Sequence, residues 1–555
     1  MNHTYQHQNQ PYRPPPELRS GQPGHHPVVV VGAGPVGLAV AIDLAQQGQA
    51  VLLLDEDRTV AVGSCGVCHA KRTLEILDRL GVGDACVEKG VGWNVGRTFF
   101  RDEEIYSFNL LPQPDHQRPG MINLQQYYLE DFLLQRARAL PALELRFCNK
   151  VTAARPHERG VSLQVETPDG AYAVEAGWLI AADGARSAVR RMLGLEAEGK
   201  YFMDRFLVAD VLMKADFPAE RWFWFDPPFH PGQSVLLHHQ ADNVWRIDFQ
   251  LGWDVDPEVE KRPENVIPRI RAMLGEEHDF ELDWVGVYTF QCRRMAKFRH
   301  GRVLFAGDAA HQVSPFGARG SNSGIQDADN LGWKLRFVLQ GLAPERLLDS
   351  YSDERIVAAD ENLQHSSRSM DFISPRTRTA LAFRNAVLGL ARHYPFARAL
   401  VNSGRLSVPT LLEESALNTP DTAPFSSDMI PGAPCDDCPM RAQVAHFWLL
   451  SRLGNDFKLL VYLQNPADVT EADALQGLIA GPMPVDVILV TPAGGRSPHG
   501  FKVMEDYTGR FAERYDAQPG SAWLIRPDQH IAARWRRLDV AQVRQALDQA
   551  TCQQG

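Results

Sequence analysis

The sequence predicts an α/β protein in which a parallel sheet layered with helices is interrupted by a β-rich insertion and followed by a further α/β segment. Three observations predict it. Residues 28–55, VVVVGAGPVGLAVAIDLAQQGQAVLLLD, read as an uninterrupted βαβ unit. Two later apolar strands, 178–184 and 302–308, each carry an aspartate next to a glycine at their ends. Between them, over 201–295, residues alternate in strand-like runs such as FLVADVLM, SVLLHH and NVWRIDFQLGW.

The βαβ unit sets the chemistry of the first segment. Val28, Val29, Val30 and Val31 are β-branched and apolar on both faces, as a strand buried in a parallel sheet requires. They run into Gly32-Ala33-Gly34-Pro35-Val36-Gly37. The first glycine permits a tight turn, the second lets backbone approach a pyrophosphate, and the third lets the next helix lie close to the sheet. The helix predicted over 35–47 points its N–H groups and positive dipole end at the phosphates. It stops at Gly48, and strand 50–54 delivers Asp55, with Glu56 beside it. A carboxylate there can accept hydrogen bonds from the ribose hydroxyls of an adenosine. The spacing points to a dinucleotide and leaves open which one.

The totals bound the rest. At 555 residues, two or three domains are expected. A net charge of -11 without a basic stripe argues against nucleic acid or an anionic membrane as partner. No apolar run is long enough for a membrane span and no signal peptide is read, so a cytoplasmic protein is expected. Residues 1–26 are rich in Pro, Gln, His and Gly and read as a disordered tail. Eight cysteines make no disulfide framework in a chain of this length. Cys65-Gly-Val-Cys68 and Cys435-Asp-Asp-Cys438 have the spacing of zinc ligands, but they lie far apart without a histidine cluster. Four separate thiols and no metal are expected.

After Asp55, helices are predicted over 71–80, carrying Arg72, and over 124–140, carrying Gln126. Strands over 142–177 read as a small meander leading to Asp183 and Gly184. In the 201–295 segment the aromatics are dense, and the strands either wall an aromatic substrate pocket or form plain core. His238, His239, Arg246, Asp248 and Gln250 are pocket candidates, because alternation puts 246, 248 and 250 on one face. The strand over 302–308 brings Gly307 and Asp308. The loop Ser314-Pro315-Phe316-Gly317-Ala318-Arg319-Gly320 then feeds a helix over 321–340, which again favours an anion at its N-terminus. A linker rich in Pro, Asp and Ser follows within 401–440. Strands such as FKLLVYL and PVDVILVTP then alternate with helical patterns to the end.

The ordered set GAGPVG with Asp55, Asp183-Gly184, and GDAAHQVSPFGARGSNSGIQDADNLGWKL resembles the FAD-dependent aromatic hydroxylases of the p-hydroxybenzoate hydroxylase superfamily. The layout is nearest the phenol and 3-(3-hydroxyphenyl)propionate hydroxylase-like group. The resemblance implies a Rossmann-type FAD-binding domain over 27–200 and 296–400, with a substrate-binding β-sheet domain inserted over 201–295. A thioredoxin-like domain over 441–555, without redox cysteines, would contribute dimer contacts or stability. It implies that Gly32, Gly34 and Gly37, with Pro35 and Val36, pack on the FAD pyrophosphate, and that Asp55 and Glu56 lie at the adenosine ribose. Gln126 would sit over the dinucleotide, Asp183-Gly184 near the pyrophosphate and the nicotinamide cofactor, and Gly307-Asp308 at the ribityl chain. Pro315, Gly320, Ser321 and Asn322 would meet the flavin, where the helix N-terminus stabilises the charge of the reduced ring.

Two departures from the family pattern stand out. Cys65 replaces a usual arginine, with Arg72 as a candidate stand-in at the cofactor. The loop before the flavin helix reads Ser314-Pro315 and Ala318-Arg319-Gly320 where relatives read Pro-Pro and Gly-Gln-Gly. This would place the Arg319 cation beside the ring. The activity implied is NADH- or NADPH-driven hydroxylation of a phenolic compound with O2 through a flavin C4a-hydroperoxide. Pro315, Arg319, His238, Arg246 and Asp248 would lie at the reacting centre, water would be excluded, and the assembly would be a homodimer. Rival readings are an oxidase, epoxidase or polycyclic-drug-modifying enzyme of the same fold, and a non-catalytic FAD-binding protein.

Overall fold

The computed structural model describes residues 5, 9–61, 66–404 and 406–553. The first sheet runs in the order Arg299–His300, Val303–Phe305, Gly170–Ala181, Gly24–Val31, Val51–Leu54, Leu143–Arg146. Its four central pairings are parallel. Val28 to Val30 are fully buried, as their unbroken apolar run requires. The helix Pro35–Gln46 connects Gly24–Val31 to Val51–Leu54, and the hairpin Lys150–His157 and Gly160–Thr167 extends the sheet through Gly170–Ala181. Two long helices, Gly320–Leu339 and Leu347–Ile373, follow the strand Val303–Phe305.

The second sheet is antiparallel through its centre, in the order His311–Gln312, Glu281–Met295, Ala197–Leu212, Val244–Leu251, Ser234–His239, Arg221–Phe225, Val95–Phe100, Glu103–Asn109. Its last two strands come from the first half of the chain, outside the expected insertion. Strand Val244–Leu251 is buried along its whole length, because both faces are covered. One face packs Trp245, Ile247 and Phe249 against Val266 and Ile270. The other turns toward the first sheet.

The third unit is a seven-stranded mixed sheet centred on Phe457–Tyr462 and Val485–Thr491, with helices Ala472–Ile479 and Val540–Ala550.

Two expectations are corrected. The region read as a disordered tail carries the helix Pro16–Ser20, and the first strand already begins at Gly24. Glu17 is buried and pairs with Arg146 (3.0 Å), while Tyr5 stacks on Tyr127, so two ionic and aromatic contacts outweigh a composition poor in apolar residues. Arg72, expected at the cofactor, faces the other way. Its guanidinium donates to Gln529 Oε1, Asp329 Oδ2 and the Asp528 carbonyl, and so ties the helix Lys71–Leu80 to the third unit.

Candidate active site

The two sheets enclose a continuous cleft. Its outer end, about 640 Å³, is bounded by Gly32, Asp55, Glu56, Asp183 and Gly184, and its inner end, about 410 Å³, by Gln126, His238, Asp308, Pro315 and Gly320. Gly34 and Gly184 border both ends.

At the outer end the backbone does the work. Gly32 sits at φ +106°, a region open to glycine. A Cβ on Gly37 would run into the Gly32 carbonyl and the Ala182 side chain, so this glycine lets the helix Pro35–Gln46 close onto the sheet. That helix starts at Gly34 without a side-chain cap, leaving its first N–H groups aimed into the cleft. Asp55 accepts from the Ala33 N–H (2.5 Å) and the Asp57 N–H (2.7 Å), which pins the glycine loop to the second strand. Burial pushes its carboxyl up, and those two N–H groups oppose the shift. Glu56 is on the exposed rim, paired with Lys150 at 3.0 Å.

Asp183 accepts from the Val189 N–H through Oδ2 (3.0 Å), while its Oδ1 is buried without a hydrogen-bond partner. An unsatisfied carboxylate oxygen at the wall of a groove calls for a donor from a ligand. A Cβ at Gly34 or Gly184 would meet nothing within 4 Å, so both glycines border open space where a phosphate can approach backbone. These observations fit a dinucleotide: Gly34 to Val36 would hold the pyrophosphate, and Asp55 and Asp183 would take its flanking hydroxyl groups.

Further in, Gln126 accepts from the Gly66 N–H (3.0 Å) and donates to Glu130 (2.8 Å). Burial pushes Glu130 up to about 7 against the Ala61 N–H and Gln126. Asp308 opens onto the cleft yet has protein on most sides. Burial raises its carboxyl, opposed by His311 and supported by Asp327. Gly307, at φ +60°, makes the turn that presents Asp308. Gly320 and Ser321 begin the next helix, Gly320–Leu339, which has no side-chain cap and so offers its N–H groups to the cleft. The Asn322 side chain bonds within the protein. Its Oδ1 accepts from the Ala70 N–H (2.8 Å) and Thr73 Oγ1 (2.6 Å), and its Nδ2 donates to the Cys68 carbonyl (2.9 Å), making it a strut between that helix and the strand Cys68–Ala70. Arg319 borders the cleft but is 1 % exposed, with its guanidinium donating to Asn362 Oδ1 (2.6 Å) and the Leu406 carbonyl.

Opposite this helix stands the second sheet. Cross-strand register places Arg221, His238, Arg246 and Asp210 in one row, so their side chains share the cleft-side face. Asp248, two residues beyond Arg246, lies on that face and accepts from its Nε (2.7 Å). Burial pulls the Arg246 pKa down, but Asp248 and Asp210 more than offset it. Burial, then the Arg221 and Arg246 cations, hold the His238 pKa well below the usual histidine value. Its Nδ1 is buried and has no hydrogen-bond partner. Burial lowers Arg221 to about 10, and its guanidinium donates to the Ser403 carbonyl (2.7 Å).

Two pocket candidates fall away. His239 lies on the opposite face, stacked on Trp245 at 4.3 Å. Gln250 is on the cleft-side face but is used elsewhere, accepting from the Ser234 N–H and donating to Ser374 Oγ. Trp222 and Trp224 pack on the outer face, so the dense aromatics are largely core, and Phe290 is the ring that borders the cleft. Cys68 also borders it, its thiol pushed up to about 12 by burial. Apart from its place in the CxxC pair, nothing in the sequence marked Cys68. Cys65 lies outside the described residues.

A glycine-lined groove that fits a dinucleotide, an uncapped helix at its inner end and a polar sheet face across from it define a dinucleotide-binding site between the first two sheets. Residues 25–366 match the model of the FAD binding domain family, and residues 448–550 match that of the HcaD C-terminal domain. The chain belongs to the FAD binding domain family, and FAD is its cofactor. It is 28% identical over 539 residues to the 3-(3-hydroxy-phenyl)propionate/3-hydroxycinnamic acid hydroxylase of Mycolicibacterium smegmatis, covering 94% of this chain and 92% of that protein. It is 30% identical to the para-nitrophenol 4-monooxygenase of a Pseudomonas species, over 59% of this chain and 82% of that one. In fold it is similar to aklavinone-11 hydroxylase in complex with FAD and aklavinone, with a TM-score of 0.77 at 23% identity, covering 96% of this chain and 100% of that one. Among the described residues, no helix is long and apolar enough to cross a membrane.

Proposed function

We propose that this protein is an FAD-dependent monooxygenase that consumes NADH or NADPH and O2 to hydroxylate a phenolic ring. The observation that carries the reading is His238: it borders the cleft, is held neutral by burial and by two flanking arginines, has an Nδ1 without a hydrogen-bond partner, and stands across the cleft from the uncapped helix Gly320–Leu339. Bound FAD would supply reduction by the nicotinamide and transfer of one oxygen atom from O2 to an electron-rich ring.

The chain's residues prepare that ring. The neutral His238 ring accepts the hydrogen bond of the substrate hydroxyl through its unprotonated nitrogen. Arg221 and Arg246 then favour the phenolate over the phenol, as cations beside a developing anion do. Asp248 fixes the direction of the Arg246 guanidinium. Leu236, Phe290 and Pro315 exclude water, which would otherwise divert the oxygen to hydrogen peroxide. An inner cavity of about 410 Å³ that also receives the flavin ring leaves room for a single-ring substrate. That favours phenols of the kind named for the mycobacterial and Pseudomonas relatives over polycyclic drugs.

Pro315, Gly320 and Ser321 meet the flavin in this reading, Gln126 covers the dinucleotide, and Asp308 holds the ribityl chain. The thioredoxin-like C-terminal unit buttresses the helix Lys71–Leu80. The protein works in the cytoplasm as a homodimer, which sedimentation would check.

The test is NAD(P)H oxidation, O2 uptake and product analysis with 3-(3-hydroxyphenyl)propionate, p-nitrophenol and resorcinol. At least one should accelerate NAD(P)H oxidation and yield a ring-hydroxylated product. If none does, the reading fails. His238→Ala should cut hydroxylation by about 100-fold while leaving FAD bound.

A further inference from the structure

A buried chain of polar side chains joins the two places where the protein meets the inner half of the cofactor. At one end, the Asp327 carboxylate accepts from the Gly307 N–H (2.9 Å), in the turn that presents Asp308, and lies 2.6 Å from His311 Nε2. Its other oxygen accepts from Arg355 Nε (2.6 Å). Arg355 Nη2 donates to the Ser323 hydroxyl (3.1 Å) and carbonyl (3.2 Å). Asn362 Nδ2 donates to the same hydroxyl (3.2 Å), and Asn362 Oδ1 accepts from Arg319 Nη1 (2.6 Å). Every side chain in this chain is at most 5 % exposed.

Geometry gives the chain a purpose. Arg355 and Asn362 both stand on the helix Leu347–Ile373, seven residues and so two turns apart, on one face. That rigid element spans from the Gly307–Asp308 turn to the residue that precedes the helix Gly320–Leu339. The loop at the second end is strained at Ala318, which has a Cβ and lies at φ +53°, after Gly317 at φ +99°. A left-handed alanine persists only where its surroundings over-determine it. Asn322 Nδ2 bonds the Ala318 carbonyl from one side, and Asn362 holds the next side chain, Arg319, from the other.

We propose that Asn362 is a positioning residue for Arg319, holding its guanidinium at the helix start where it raises the midpoint potential of the bound flavin. The inference rests on FAD occupying the cleft and is independent of the substrate. A cation fixed in a low-dielectric site favours the form of the cofactor that carries more negative charge. Asn362 supplies the side-chain part of the fixing, beside the Leu406 carbonyl that also accepts from the guanidinium, and so narrows the rotamers open to Arg319.

The test is spectroelectrochemical titration of FAD-loaded wild type, Arg319→Gln, Asn362→Ala and the double variant, with FAD content measured for each. Arg319→Gln should weaken binding of reduced relative to oxidised flavin about tenfold, which is about 30 mV for a two-electron couple. Asn362→Ala should lower the potential in the same direction, and the double variant should equal Arg319→Gln alone. Asn362→Ser, too short to reach Arg319, serves in place of alanine if that variant fails to fold. An Asn362→Ala potential equal to wild type overturns the positioning role, as does an additive double variant. An unchanged Arg319→Gln potential overturns the effect on the ring. A wild type that binds no FAD overturns the cofactor assignment itself.

Discussion

The two ends of the cleft are built by opposite means. The outer end is mostly backbone: Gly32, Gly34 and Gly37 shape a surface, uncapped helix N–H groups face it, and Asp55 spends its hydrogen bonds on the glycine loop. The inner end is made of side chains, with a neutral histidine between two buried arginines and a carboxylate aimed at one of them. Backbone recognition suits a cofactor that never changes. Buried charges on a sheet face can be exchanged one at a time, so the substrate can change while the cofactor groove stays as it is.

That contrast can be broken by substitution. The largest effect should come from Asp248→Leu, which takes the hydrogen-bonded carboxylate from the buried Arg246 cation and should destabilise the fold by about 3 kcal/mol in chemical denaturation. Glu130→Gln should act through pH. The Glu130 carboxyl is raised to about 7, above its unfolded value of 4.5, so its protonated form favours the fold, and that stability is lost as pH rises through 7. Gln keeps an acceptor for the Ala61 N–H but turns a donor toward Gln126 Nε2, so it should stabilise the protein at pH 8 by less than the roughly 3 kcal/mol that the shift alone gives, and not at pH 4. Equal melting temperatures of variant and wild type at pH 8 would contradict the shift.

Asp308→Ala should loosen FAD by about ten- to hundredfold in fluorescence titration, the usual worth of a hydrogen bond to a charged group. Unchanged affinity would remove Asp308 from the site. The smallest effect is expected at the rim. Glu56→Ala breaks only an exposed pair with Lys150 and should leave the melting temperature where it was.

What was legible in the sequence follows the same division. Glycine spacing, the strand-terminal Asp183 and Asp308, and the helix Lys71–Leu80 with Gly81 behind it all express local rules, and the structure contains each. Register is not local. His238 and His239 are adjacent and identical in chemistry, and only the pairing of Arg221 with His238 and of His238 with Arg246 decides which one meets the cleft. The side chains of Asn322 and Arg72 are not legible, because motif position says where a backbone runs, whereas these side chains answer to partners distant in sequence, Ala70 for one and Gln529 for the other.

Those distant partners bear on how the molecule could be cut. Glu354, on the long helix, receives Arg526 from the third unit and Lys334 from the flavin-side helix, while Asp329 receives Arg72, which also reaches Gln529. A chain shortened before the third unit would leave Glu354 without its guanidinium and Arg72 with one of its three acceptors, in what had been an interior. The C-terminal unit therefore closes the buried ion pairs of the cofactor half, and a fragment cut before it should unfold at lower denaturant than the full chain.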